Sequence, residues 1–116
     1  MPIINGINVE TETAEITLTN PGEKFAFNVA GFTKATVHFS ELAAPASTVS
    51  VHILRGNQDI VDPRPLETAQ TFASAPGMSA AIDVTGFTSL VVKVETGNST
   101  GSGKWRAVCC KKAVPG

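Results

Sequence analysis

The stretch PGEKFAFNVAGFTKATVHF, residues 21–39, returns as PGMSAAIDVTGFTSLVVKV, residues 76–94. Aligned without gaps from Glu12 and Glu67, the copies share Glu-Thr-Ala, then Pro-Gly, Ala26/Ala81, Val29/Val84, Gly-Phe-Thr and Val37/Val92. That is 11 identities in 28 positions, where unrelated segments would match at about two, so a duplicated, pseudo-symmetric architecture is the first expectation. Within the first copy Phe25, Phe27 and Val29 alternate with Lys24, Ala26 and Asn28, and Ala35, Val37 and Phe39 form a second alternating face. A period of two is that of half-buried strands.

Outward from this pair of strands the pattern continues. Residues 13–19 alternate through Ile16 and Leu18, and Val49, Val51 and Ile53 alternate with Ser50, His52 and Leu54, giving four strands in the first copy. Residues 55–66, RGNQDIVDPRPL, hold two prolines and no periodic apolar face and read as the connector between copies. The second copy repeats the plan with a weak first strand around residues 71–74, a face of Ala80, Ile82 and Val84, and a face of Leu90, Val92 and Val94. Val91 makes that last strand apolar on both sides, which suits a strand deep in a sheet or one covered by a partner. Residues 96–103, TGNSTGSG, read as a surface hairpin loop. In the final strand Trp105, Ala107 and Cys109 form the better core face, one residue out of phase with the repeat, because one residue of slip exchanges the faces of a strand. Trp105 is therefore expected in the core. No segment shows a 3.6-residue period with caps. The expectation is an all-β, β-sandwich or jelly-roll-like single domain over residues 1–116, built from two pseudo-repeats of about four strands each, residues 12–55 and 67–112. Residues 1–10, with Asn5-Gly6 as a turn, form an N-terminal arm or edge strand.

At 116 residues and 12.1 kDa the chain can bury a core without staples. Its net charge of −1 offers no field for holding phosphates, so neither nucleic-acid binding nor, in the absence of an apolar span, membrane insertion is expected. The start lacks a basic, apolar leader, pointing to synthesis in a cytosol. Cys109 and Cys110 are adjacent, and in a strand they face opposite ways, one core thiol and one partly exposed.

Candidate chemistry is sparse. His38 and His52 occupy equivalent polar-face positions of successive strands, where they could be ladder neighbours, but no third ligand stands at a metal-site spacing. Asp59, Asp62 and Glu67 lie in and just after the connector, where carboxylates are ordinarily solvated. Asn28 and Asp83 hold the same place before the repeated glycine and read as turn-end hydrogen-bonding residues. No phosphate loop, dinucleotide fingerprint or zinc spacing is present. No catalytic residue, metal ligand or cofactor is assigned, and the chain does not read as an enzyme. An outward Trp105 would instead allow stacking against a sugar ring.

The run Ile82-Asp83-Val84-Thr85-Gly86-Phe87, then the strand 90–94, the glycine-serine loop and a last alternating strand, resembles β-sandwich virion accessory proteins of tailed bacteriophages. These are capsid decoration (cement) proteins and related small tail or baseplate domains. The resemblance spans roughly residues 12–112. It implies a non-enzymatic virion structural protein, made in the host cytoplasm and carried on the capsid surface. There it would bind the major capsid protein, clamp neighbouring capsomers, and gather as a homo-oligomer, with a trimer favoured. Under this reading the arm's Ile3, Ile4 and Ile7, together with Val91 and Arg64, are the interface candidates. The alternative it leaves is a carbohydrate-binding or host-adhesion module of the tail or baseplate, with a glycan as partner.

Overall fold

The computed structural model describes residues 3–4, 7–19, 22–45, 48–57, 67–96 and 103–113. Arg64, Asp59, Asp62, Asn5-Gly6 and most of the glycine-rich loop lie outside the described residues. Among these described residues ten strands follow in order: β1 (Ile3–Ile4), β2 (Ile7–Thr17), β3 (Lys24–Asn28), β4 (Lys34–Ala43), β5 (Ser50–Gly56), β6 (Glu67–Phe72), β7 (Gly77–Met78), β8 (Ile82–Asp83), β9 (Ser89–Thr96) and β10 (Lys104–Ala113). No helix occurs among the described residues.

The strands form two antiparallel sheets. One has the order β1-β2-β10-β4, with β7 and β8 both on the far side of β4; the other has the order β3-β9-β5-β6. In repeat terms β2, β3, β4 and β5 correspond to β6, β7/β8, β9 and β10. Each sheet therefore holds the first and third strands of one copy and the second and fourth of the other. This interleaved order is that of a jelly roll, and the operation that exchanges the copies also exchanges the sheets.

The repeated Val-x-Gly-Phe-Thr makes that exchange. The Val29 N–H donates to the Thr88 carbonyl and the Val84 N–H to the Thr33 carbonyl, both at 3.0 Å. Each copy's turn is thus sewn to the other copy. The turns match too. The Phe32 and Phe87 N–H groups donate back to Val29 and Val84, Gly31 and Gly86 carry φ of 85° and 82°, and a type II turn requires glycine-like φ at that position. As read from sequence, Asn28 Oδ1 accepts from the Ala30 N–H and Asp83 Oδ1 from the Thr85 N–H.

Between the sheets lies one continuous core built from the alternating faces: Ile16, Phe27, Val29, Val37, Phe39, Val51, Ile53, Ile82, Val84, Leu90, Val92, Val94, Ala107 and Cys109 among others. Trp105 is 1 % exposed and packs against Phe39, which also meets Phe72 edge-on. The phase shift of the last strand is confirmed: Trp105, Ala107 and Cys109 point inward and Arg106 outward. β4 and β10 slip register at Lys104/Trp105, and β5 and β9 slip at Ser50/Val51, so each fourth strand slips just after its first residue, two residues apart when the ladders are aligned.

Three local expectations change. The first strand begins at Ile7, so residues 7–10 belong to the sheet and only β1 is an addition to it. The second strand of copy two is broken at Ser79, with Ala80 exposed; there the Ser79 N–H donates to the Val37 carbonyl and Ser79 Oγ accepts from the Val37 N–H. Gly103, expected at the end of a surface loop, is buried against Pro45, and its carbonyl accepts from the Leu18 N–H.

Candidate interaction surface

The jelly-roll exchange decides where each candidate residue lies. His38 is on β4 of the large sheet and His52 on β5 of the small one, so they are not ladder neighbours. The correction has a topological cause: consecutive third and fourth strands go to different sheets. Among the described residues no group of three or more His, Cys, Asp or Glu is gathered where it could hold a metal ion. Burial pushes the Cys109 thiol up to about 12, while Cys110 is exposed. The Thr85 backbone N–H, then the Thr85 hydroxyl, holds the exposed Asp83 carboxyl below its usual range, with Lys34 and Arg55 adding to the effect.

Two cations that sequence reading passed over organise the sandwich ends. Lys111 is 3 % exposed. Its Nζ donates to Glu12 Oε1 at 2.7 Å and to the Asn28 carbonyl, and lies 5.4 Å from the centre of the Phe32 ring. At the corresponding place Arg55 Nη1 donates to the Asp83 carbonyl at 2.6 Å, and its guanidinium lies 5.0 Å over Phe87. In each case a cation near the end of a fourth strand covers the other copy's Asx carbonyl and Gly-Phe-Thr ring. The signal was in the sequence, as a basic residue near the end of each fourth strand, but its partners are about 30 or 80 residues away, a distance that only the fold closes.

Of the interface candidates, Val91 is 0 % exposed and pairs with the largely buried Leu54 outside the main core cluster. The outer face of the small sheet is covered within the chain at this point, so the Val91 side chain offers a partner no surface. Arg64 lies outside the described residues. Ile3, Ile4 and Ile7 enter the β1/β2 hairpin, paired Ile4↔Ile7 and Ile3↔Asn8. The β2/β10 ladder ends at Asn8↔Ala113, so β1 pairs with β2 at and beyond the last rung that β10 supplies.

The outer face of the large sheet is open. It carries Thr11, Thr13 and Glu15 from β2, Arg106 and Cys110 from β10, His38, Ser40 and Leu42 from β4, and Met78 of β7, which is 65 % exposed. A shallow pocket of about 220 Å³ lies on it beside Val9, Thr36, Ala81 and Cys110, with Lys34 and Lys112 at its margin. The face mixes small polar groups, both charges and scattered apolar side chains.

No protein-family model matches this chain, and no curated protein matches it in sequence. Its fold does match solved structures. The SPBc2 prophage-derived protein YomS superposes with a TM-score of 0.59 over 95 % of this chain and 99 % of its own, at 15 % identity. A chain of the acid-stable capsid of Helicobacter pylori bacteriophage KHP30 superposes with a TM-score of 0.52 over 90 % and 92 %, at 14 % identity. At such identities the likeness is one of fold.

Proposed function

We propose that this chain is a non-enzymatic structural protein of a phage virion, a decoration protein that binds the outer surface of the head through the major capsid protein and clamps neighbouring capsomers. The observation that carries the reading is the β1/β2 hairpin: two residues of added strand, isoleucines both, paired with the large sheet at and beyond the last β10 rung and continuous with its open outer face. A strand added outside the sandwich's own ladder is surplus to closing the core and suited to reaching a neighbour. The fold likeness to two phage-derived structures supports the same reading. Trp105 lies in the core, which removes the stacking platform that the adhesion alternative would use at that residue.

The test is co-sedimentation with purified phage heads, run beside a glycan panel. The full chain should pellet with heads and ignore sugars, and a variant lacking residues 1–6 should fold yet lose most of its retention. Full retention by that truncated chain would discard the clamp role of the hairpin; binding to a glycan and not to heads would overturn the decoration role.

A further inference from the structure

Sheet edges template further pairing unless something blunts them, and among the described strands three edges of four are blunted. On one flank of the large sheet β7 and β8 are two residues each, split by residues 79–81, and the Gln70 side chain clasps the backbone of Ala80, its Nε2 donating to the carbonyl and its Oε1 accepting from the N–H. In the small sheet β6 is kinked against β5 by a register shift at Ile53/Leu54, and β3 is five residues long and opens with Lys24. The fourth edge is β2. From Val9 to Thr17 it has no proline, lysine or bulge, and its ladder to β10 runs unbroken from Thr17↔Lys104 to Asn8↔Ala113. Among the described residues only β1 pairs with its other side, at Ile7 and Asn8.

The hydrogen-bond phase of that edge can be read off. The Leu18 N–H donates to the Gly103 carbonyl, one rung past Thr17↔Lys104. Bonded pairs in an antiparallel ladder recur at every second residue, so Ile16, Ala14, Glu12 and Glu10 turn their backbone groups toward β10. Val9, Thr11, Thr13, Glu15 and Thr17 turn theirs outward, and Thr11, Thr13, Glu15 and Thr17 are exposed. β1 closes one end of this free stretch and the end of β2 closes the other, which puts its midpoint at Thr13.

We infer that the free edge of β2 pairs antiparallel with β2 of a second copy, about a two-fold axis at Thr13. In that register Thr13 meets Thr13, Thr11 meets Glu15, Val9 meets Thr17, Glu12 meets Ala14 and Glu10 meets Ile16, so no glutamate faces a glutamate. Every outward-turned residue meets an outward-turned one. A slip of one residue in either direction breaks the phase and sets Glu15 against Glu10 or against Glu12, which like-charge pairing disfavours. Within each copy the carboxylates already have cations beside them: Lys111 bonds Glu12, Arg106 lies opposite Glu15 and Lys111 opposite Glu10. The contact is isologous and closes at two copies, whereas the resemblance to decoration proteins implies three. It does not depend on the capsid being the binding partner.

Light scattering on the purified chain tests it directly. The expected mass is twice 12.1 kDa at micromolar and higher concentrations. Thr13→Pro removes an N–H that faces away from β10, and Thr13→Lys sets two cations at the axis; each should give a folded monomer by circular dichroism. Thr13→Cys in a Cys110→Ser background should form an intermolecular disulfide on mild oxidation, because bonded pairs stand about 5.5 Å apart at Cα. In the same Cys110→Ser background, which removes the thiol opposite residue 11, Thr11→Cys alone should not cross-link, but should do so when mixed with Glu15→Cys. A monomeric or trimeric wild type overturns the inference. So does a dimer indifferent to both Thr13→Lys and the cysteine pairs, since the contact would then lie elsewhere; if Thr13→Pro fails to fold, Thr13→Lys and the cross-links still decide.

Discussion

Lys111 lies over Phe32 and donates to the Asn28 carbonyl; at the corresponding place in the other sheet Arg55 lies over Phe87 and donates to the Asp83 carbonyl. The geometry is shared but the surroundings are not. Lys111 is buried, whereas Arg55 is half-buried and serves an exposed aspartate turn. An ammonium removed from water needs a carboxylate and a carbonyl to replace its hydration, while a guanidinium at the surface keeps part of its solvent and spreads its charge over the ring. The pseudo-symmetry keeps the position and the task, and burial decides which cation performs it.

The deepest asymmetry between the two halves is in the core, and removing it should have the largest effect. Counted back from Lys111 and Arg55 along the fourth strands, Trp105 corresponds to Val49, and both are buried in the core. Trp105→Ala should cost about 3–5 kcal/mol in urea unfolding, and Val49→Ala roughly half of that or less. Equal costs would mean that the Trp105–Phe39–Phe72 cluster relaxes around the gap. Next come the cations. Lys111→Met leaves Glu12 and a carbonyl without their donor and should cost about 3 kcal/mol, while Arg55→Met should cost on the order of 1 kcal/mol; a reversed order would break the contrast drawn from burial.

The turns should instead behave alike. Gly31→Ala and Gly86→Ala meet no neighbouring atoms, so each carries only the cost of a left-handed backbone, about 1–2 kcal/mol. Unequal losses would show that the two turns are not held in the same way. The smallest effect concerns Asp83. Its carboxyl titrates lower in the folded chain than in the unfolded one, so its contribution is present above the unfolded value and is lost as pH falls through the folded one. Asp83→Asn, which installs the residue used in the other copy, should have a slightly lower urea midpoint at neutral pH, and the gap should close as pH drops below about 4. A gap that persists in acid would assign it to packing and not to charge.

Much of this molecule could be read before folding. Alternation located the strands around Phe27, Val37, Val51 and Leu90, and phase alone turned Trp105 inward, since a strand with one buried face tolerates no slip. The repeated Val-x-Gly-Phe-Thr announced a pseudo-symmetry. What periodicity does not carry is which strand lies beside which, and that assignment separated His38 from His52, covered Val91 within the chain and closed the distance from Lys111 to Glu12 and Asn28. The open edge of β2 was equally hidden: an edge is defined by what a strand lacks beside it, so only the order of strands across the sheet could show that residues 9–17 keep one side free of any described strand. Local pattern determines which face of each strand is apolar because burial acts residue by residue. Tertiary structure determines neighbours, because hydrogen bonds and ion pairs between distant segments depend on which loops the chain can close.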